Sequence, residues 1–133
     1  MSAAGKASLK EQEKLRALIV DDSHDSAQTM VWTLEALGHE GAIAHDGTGA
    51  LEIARSFRPH VIMLDINLPG MNGYEICQLM RNDPAFKGAV FVAQTGWSQR
   101  EHQLRSQAAG FDYHLVKPVQ LKDLQEIFDG LQN

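Results

Sequence analysis

The sequence is informative first through what it lacks. It contains a single cysteine, Cys77, which cannot form a disulfide bond within the chain. No apolar run approaches the roughly 18 residues that a membrane span requires. Nothing near the N-terminus combines a basic region with an apolar stretch of signal length. These absences predict a cytoplasmic protein without a membrane partner.

A strong excess of positive charge is also missing. Twelve Lys and Arg residues against seventeen Asp and Glu residues give a net charge of −5. No block of like charge is long enough to form a basic arm. Binding to nucleic acid is therefore not expected, because such binding depends largely on positive charge.

Length and composition fit one globular domain. The chain has 133 residues, of which 44% are hydrophobic and 22% charged, and it is too short for two ordinary domains. Residues 1–14, "MSAAGKASLKEQEK", are small and polar, so we expect them to form a flexible N-terminal arm. The folded domain is predicted to span residues 15–133.

Short apolar runs alternate with amphipathic segments along the predicted domain. The runs have strand length, and the segments between them have apolar residues at helical spacing. Helix ends are indicated by Gly38, by Asn82 to Pro84 and by Gly110. Five strands alternating with five helices predict a doubly wound (βα)5 fold, an α/β architecture whose mostly parallel sheet is covered on both faces. The predicted strands are residues 16–20, 41–45, 60–64, 89–94 and 113–116.

The residues that follow the predicted strands carry charges and a hydroxyl. Asp21 and Asp22 follow the first strand, Asp65 the third, Thr95 the fourth and Lys117 the fifth. The carboxyl ends of parallel strands meet at one edge of a sheet, so we expect these side chains to lie close together. Like charges repel unless a cation joins them. Carboxylate oxygens with water favour Mg²⁺ as that cation.

A phosphoryl group on Asp65 would give each of these residues a role. Asp65 follows a fully apolar run, so its carboxylate has lost much of its solvation. Its charge therefore requires either a compensating partner or a functional role. As a nucleophile it would form an aspartyl-phosphate, with Mg²⁺ and Lys117 neutralising phosphate oxygens and Thr95 donating a hydrogen bond. For Asp21 and Asp22 taken alone, helix N-capping is the plainer interpretation.

Four segments resemble the receiver domain of two-component response regulators. "LIVDDS" contains the acidic pair, "VIMLDINLPGMNGYE" the phosphoacceptor and its loop, "QTGW" the hydroxyl, and "LVKPV" the lysine followed by proline. The resemblance covers about residues 15–131 and implies a flavodoxin-like fold with strand order 2-1-3-4-5. The stretches "GHEGAIAHDGTGALE" and "AGFDYHLVKPV" are similar to receivers of hybrid histidine kinases.

The resemblance also implies the chemistry of the site. Asp21, Asp22 and Asp65 are expected to hold Mg²⁺, with a backbone carbonyl near Asn67 completing the protein ligands. The implied phosphoryl donor is a phosphohistidine on a histidine kinase or on a histidine phosphotransfer protein. The peptide bond before Pro118 is expected to be cis. Such a domain is not an enzyme toward other substrates, since it catalyses only its own phosphorylation and dephosphorylation.

Signalling in this family couples a hydroxyl to an aromatic residue on the fifth strand. Thr95 matches the hydroxyl, whereas His114 stands where the family more often has Tyr or Phe. His114 is either a switch residue whose charge can change near neutral pH or a half-exposed edge-strand residue without a signalling role. Asn67 and Trp97 match positions that tune phosphate hydrolysis. The responding surface is expected to comprise residues 98–109, 113–116 and 121–131.

Three other classes of protein share parts of this pattern. A Mg²⁺-dependent phosphatase of the haloacid-dehalogenase type would carry a second aspartate where this chain has Asn67. A flavodoxin-like cofactor carrier would have a phosphate-binding loop in place of Asp21 and Asp22. A docking-only pseudo-receiver would be expected to lack some of the five strand-end residues. The chain fits either a stand-alone regulator, monomeric or weakly dimeric, or the receiver of a hybrid histidine kinase.

Overall fold

The computed structural model describes residues 14–96 and 100–132, in which five strands alternate with five helices. The strands are β1 (Arg16–Val20), β2 (Glu40–Ala44), β3 (Val61–Asp65), β4 (Val90–Thr95) and β5 (Tyr113–Val116). The helices are α1 (His24–Ala36), α2 (Gly47–Phe57), α3 (Gly73–Arg81), α4 (Arg100–Ala109) and α5 (Leu121–Leu131). Among the described residues, no helix combines the length and the apolar character of a transmembrane segment. Residues 1–13 of the predicted arm, Trp97 and residues 98–99 lie outside the described part.

All neighbouring strands of the sheet run parallel, in the order β2-β1-β3-β4-β5. The predicted doubly wound fold is therefore confirmed. In the centre, Val20 of β1 stands opposite Ala44 of β2 on one side and Leu64 of β3 on the other. The strand order reverses at β1, so the carboxyl ends of β1 and β3 flank the crevice in which such sheets bind ligands.

Each face of the sheet has its own hydrophobic core. Alternate residues of β3 point to opposite faces, so Ile62 and Leu64 belong to one core and Val61 and Met63 to the other. The first core is completed by α2, α3 and the end of α4, and the second by α1 and α5. Burial on both faces explains why β3 reads as an uninterrupted apolar run.

Helices α1, α3 and α4 end at the turn residues from which the sequence predicted their ends. Gly38 and Gly110 follow α1 and α4 with φ angles of 91° and 104°, a conformation that glycine adopts without strain. Asn82 is the C-terminal cap of α3. The three predicted helix ends are thus confirmed.

Two strands end one residue later than the sequence pattern predicts. β3 includes Asp65 and β4 includes Thr95, although both were expected to be the first residues after their strands. Asp65 stands opposite Gln94 in the β3–β4 pairing, and the N–H of Lys117 donates to the carbonyl of Thr95 at 2.7 Å. Hydrogen bonds rather than apolar character determine where a strand ends. Both candidate functional residues are therefore held by the sheet itself.

The side chain of Arg81 fastens the end of α3 to β4 and to the segment before β5. Its Nε donates to the carbonyl of Gly110 at 2.8 Å, its Nη1 donates to the carbonyl of Ala89 at 3.2 Å, and its Nη2 pairs with Asp112. The guanidinium also lies over the ring of Phe91, 4.4 Å from the centroid. Because Gly110 directly follows α4, this clamp fixes the C-terminal end of that helix.

Gly73 begins α3 with its backbone pressed against the end of β3. Its N–H donates to the carbonyl of Ile66 at 3.1 Å. A Cβ atom at this position would lie 2.6 Å from the carbonyl oxygen of Asp65 and 2.9 Å from the Cα of Ile66. Only glycine permits this approach, which keeps the loop after Asp65 close to the sheet.

We predict that Gly73→Ala lowers the free energy of unfolding by about 1–3 kcal/mol, the usual cost of overpacking. The added methyl group meets backbone atoms, which cannot rotate away as a side chain can. Gly88→Ala is the matched control, because a Cβ there meets nothing within 4 Å. Urea denaturation of the three proteins measures the difference, and equal stability of Gly73→Ala and the parent would contradict the prediction.

Candidate functional site

The ammonium group of Lys117 lies between two carboxylates at the carboxyl edge of the sheet. Its Nζ donates a hydrogen bond to Oδ2 of Asp21 and another to Oδ2 of Asp65, each at 3.0 Å. The side chains of Asp21 and Asp65 are 1% and 10% exposed, whereas that of Lys117 is 29% exposed. Three of the predicted strand-end residues thus form one ion-paired group with limited access to solvent.

Backbone and side-chain contacts fix Asp21 directly after β1. Its N–H donates to the carbonyl of Ala44 at 3.0 Å, and its Oδ1 accepts the N–H of Ser23 at 3.0 Å. The Nδ1 atom of His45 lies 2.9 Å from the carbonyl oxygen of Asp21. A carbonyl can only accept, so this nitrogen carries a proton and donates. The ring of His24 stacks on that of His45, with centroids 3.8 Å apart.

The turn after β3 holds the carboxylate of Asp65. Its Oδ1 accepts the N–H of Asn67 at 2.9 Å, while its Oδ2 faces Lys117. The side chain of Asn67 itself is exposed. Each oxygen of Asp65 therefore has one fixed donor and retains a second lone pair for a further contact.

Burial and hydrogen bonding shift the pKa values of these groups in different directions. Burial raises the pKa of Asp65 despite the hydrogen bonds from Asn67 and Lys117. Burial also opposes the charge of Asp21, but the N–H of Ser23 and the ammonium of Lys117 outweigh it and hold the pKa of Asp21 below its usual range. Burial disfavours charged Lys117 as well, yet its hydrogen bonds to the two carboxylates raise its pKa. Asp21 therefore holds its negative charge more strongly than Asp65 does, because hydrogen bonds and Lys117 compensate its burial more fully.

Asp22 brings a third carboxylate to this edge. One oxygen from each of Asp21, Asp22 and Asp65 lies within 4.8 Å of the other two, and Asp22 is exposed to solvent. Oxygen donors at this spacing suit a small divalent cation such as Mg²⁺, which keeps several waters in its coordination shell. The three carboxylates and one ammonium sum to a charge of −2, which such a cation would balance. The residues present therefore fit the expected metal.

Thr95 completes the set of strand-end residues. It is 1% exposed, and its carbonyl accepts the N–H of Lys117 at 2.7 Å, which ties the end of β5 to the end of β4. The peptide bond between Lys117 and Pro118 is cis. The hydrogen bond to Thr95 holds the backbone of Lys117 against β4 while its side chain reaches the two carboxylates.

His114 is joined to α4 through a serine. The Nδ1 atom of His114 lies 2.9 Å from Oγ of Ser106, and Ser106 is 1% exposed. The hydrogen bond spans the groove between α4 and β5, two elements of the surface that was expected to respond to phosphorylation. The half-buried ring of His114 is therefore more constrained than that of an ordinary edge-strand residue.

Sequence reasoning did not identify His45 or Ser106. The histidines show no metal-binding spacing, and nothing in the sequence indicates that His45 supports the backbone of Asp21. Cys77 is buried in α3, and burial raises the pKa of its thiol to about 12, so it is not a nucleophile at neutral pH. Trp97 lies outside the described residues, and its tuning role stays a prediction.

Comparison of the sequence with known proteins finds relatives over most of the chain. A family model described as the response regulator receiver domain matches residues 17–129. The DNA-binding response regulator MtrA of Mycolicibacterium paratuberculosis is 34% identical over 109 residues, which cover 82% of this chain and 47% of MtrA. The chain thus spans about half the length of that relative.

Solved structures resemble the fold closely. The chemotaxis response regulator CheY4 of Vibrio cholerae gives a TM-score of 0.82 at 30% identity, covering 90% of this chain and 99% of that one. The signal receiver domain of a signal transduction histidine kinase from Syntrophus aciditrophicus gives a TM-score of 0.80 at 26% identity, covering 89% of each chain. Both likenesses agree with the strand order and helix placement described above.

We predict that Lys117→Met lowers the free energy of unfolding at pH 7 by about 3 kcal/mol, because two buried carboxylates lose their cation. Without Lys117 both carboxyl pKa values rise, so the loss of stability is largest where both groups are ionised. The deficit should shrink as the pH falls toward about 4.5 and the carboxyl groups take up protons. Urea denaturation at both pH values tests this, with Lys122→Met, at an exposed position of α5, as the control. A deficit that does not change with pH would contradict the electrostatic explanation.

Proposed function

Because the chain belongs to the response regulator receiver family of two-component signalling proteins, we propose that it accepts a phosphoryl group on Asp65. The observation that carries this proposal is the position of Asp65. Its carboxylate lies at the switch point of the sheet, 3.0 Å from an ammonium and within 4.8 Å of two further carboxylates. We propose residues 15–133 as the receiver, which the family match over residues 17–129 supports.

In the proposed transfer, a carboxylate oxygen of Asp65 attacks the phosphorus of a phosphohistidine. The oxygen–phosphorus bond forms while the phosphorus–nitrogen bond breaks, and the donor imidazole keeps the electron pair of the broken bond. Lys117 can donate a hydrogen bond to a phosphoryl oxygen, because its ammonium already lies beside Asp65. Water later attacks the phosphorus, the bond between phosphorus and the Asp65 oxygen breaks, and inorganic phosphate leaves, which restores the carboxylate.

The residues proposed to hold Mg²⁺ are Asp21, Asp22 and Asp65, together with a backbone carbonyl near Asn67. When bound, the ion would supply positive charge next to the phosphoryl oxygens. His45 keeps the backbone of Asp21 in place, and Ser23 holds one of its carboxylate oxygens. The acidic group is therefore fixed before the metal arrives.

Asn67 and Trp97 are proposed to tune the lifetime of the aspartyl-phosphate. Asn67 is exposed two residues after Asp65, and its N–H holds Oδ1 of that residue. Its exposed side chain is proposed to border the path by which water reaches the phosphoryl group. Trp97 stands two residues after Thr95 in the sequence.

The signal is proposed to pass from Thr95 to the face formed by α4, β5 and α5. The hydroxyl of Thr95 would donate a hydrogen bond to a phosphoryl oxygen, and His114 would act as the switch residue that responds. The hydrogen bond between His114 and Ser106 supports this proposal, because it links β5 to α4. A shift of β5 would then be transmitted to the helix.

The partners are proposed from the same surfaces. The phosphoryl donor would be a histidine kinase or a histidine phosphotransfer protein. Exposed apolar side chains on the α4–β5–α5 face, which is suited to contact with a protein partner, include Leu104, Tyr113, Val116 and Leu121. The related receivers belong to different kinds of protein. MtrA is a DNA-binding response regulator, and the Syntrophus aciditrophicus receiver comes from a histidine kinase.

We predict that acetyl phosphate with Mg²⁺ adds one phosphoryl group to the protein, as measured by intact mass spectrometry. Asp65→Asn should abolish the gain, because an amide is not a comparable nucleophile. Asp129→Asn, the same exchange at an exposed position of α5, should keep it, and EDTA should suppress it. Absence of any gain in the parent protein would identify a docking-only pseudo-receiver, and a gain that persists in Asp65→Asn would overturn Asp65 as the acceptor.

We predict that beryllofluoride with Mg²⁺, a stable phosphoryl mimic, changes the ring resonances of His114 in NMR spectra. The change should vanish in Thr95→Ala, because the hydroxyl is the proposed link between the phosphoryl group and β5. His60 directly precedes β3, at the amino-terminal ends of the strands and away from Asp65, and serves as the internal control. An unaltered His114 ring in the parent protein would mean that this residue has no signalling role.

A further inference from the structure

A cavity of about 750 Å³ lies between α1 and the segment that leads from β5 into α5. Lys117 forms part of its wall, so the cavity reaches the acceptor site from the side. Met30, Val119 and Leu124 supply an apolar surface, and Thr29 contributes a hydroxyl group. A volume of this size, mostly apolar with a few polar groups, is typical of sites for small molecules.

Gln94 gives the cavity an unusual polar group. It precedes Thr95 in β4 and points, like Val92 two residues earlier, to the face that α1 and α5 cover. Its side chain is 2% exposed, and its amide nitrogen has no hydrogen-bond acceptor among the residues that the structure describes. A buried donor without an acceptor is unfavourable. An apolar residue would serve a purely structural role better at this position.

The charges around the cavity favour an uncharged ligand. Its wall contains two charged residues, Asp25 and Lys117, and the ammonium of Lys117 is already shared between Asp21 and Asp65. The carboxylates of Asp21, Asp25 and Asp65 outnumber the single ammonium of Lys117, so they would repel an anion. An ammonium group on the ligand would offer no acceptor to the amide of Gln94. A neutral carbonyl meets that donor without adding charge.

We propose that this cavity binds a small uncharged molecule with an amide group and an apolar body. The amide carbonyl accepts a hydrogen bond from Gln94, and the amide N–H can return one to the side-chain oxygen of the same residue. The apolar body rests on Met30 and Leu124. Gln94 lines the cavity, and because the last torsion of a glutamine side chain is broad, rotation about it can present the amide to a ligand. Such a ligand would lie directly beside Lys117.

The probe for this site is 3-phenylpropanamide, titrated into the unphosphorylated protein and followed by NMR. We predict saturable shifts of the Gln94 side-chain amide and the Met30 methyl group, with a roughly millimolar dissociation constant for so small a ligand. The acid of the same shape, 3-phenylpropanoate, should bind at least about fivefold more weakly. Gln94→Met should weaken amide binding about fivefold, the effect of one lost hydrogen bond. Gln78→Met, at an exposed position of α3, should leave it unchanged.

The proposal is overturned by any of three results: no saturable shift, equal affinity for the amide and the acid, or undiminished binding by Gln94→Met. Urea denaturation first establishes that Gln94→Met is folded, which we expect because the exchange removes an unpaired buried donor. Gln94→Leu provides a second variant if the first does not fold. The titration requires neither metal nor phosphate. Its result is therefore independent of whether Asp65 accepts a phosphoryl group.

Discussion

The ammonium of Lys117 is the interaction on which the site depends. Asp21 and Asp65 come from the neighbouring strands β1 and β3, and their charges repel at this distance without a cation. Lys117 reaches them from β5, across the intervening β4, from 96 and 52 residues farther along the chain. The site therefore forms only when the sheet is assembled from β1 to β5.

The sequence predicted the fold and the five strand-end residues because both follow from local patterns. The apolar run before Asp65 indicates a strand buried on both faces, and alternation with helices makes the sheet parallel. Parallel strands then bring Asp21, Asp22, Thr95 and Lys117 to the same edge as Asp65. No knowledge of side-chain packing is needed for this step.

Contacts between side chains of different elements could not be predicted in the same way. The hydrogen bond of Ser106 to His114 depends on how α4 lies on β5, and the polar sequence of α4 has no apolar stripe that would indicate its buried side. The burial of Gln94, whose amide nitrogen has no acceptor among the described residues, depends on the packing of α1 and α5 against β4. The last residues of β3 and β4 were misplaced by one position for a related reason, since strand ends depend on the neighbouring strand.

The Arg81 clamp has a mechanical consequence for α4. Arg81 holds the carbonyl of Gly110 and the carboxylate of Asp112, so the C-terminal end of α4 is anchored to α3 and β4. An anchor at this end favours rotation of α4 about its C-terminal end over translation. The 10 residues of α4 span about 15 Å, so a rotation of about 10° displaces the opposite end by only about 2–3 Å at the residues nearest the acceptor edge. Under the proposed function, Arg81 would set how far α4 moves after phosphorylation of Asp65, and weakening this anchor would change that movement without altering the acceptor site.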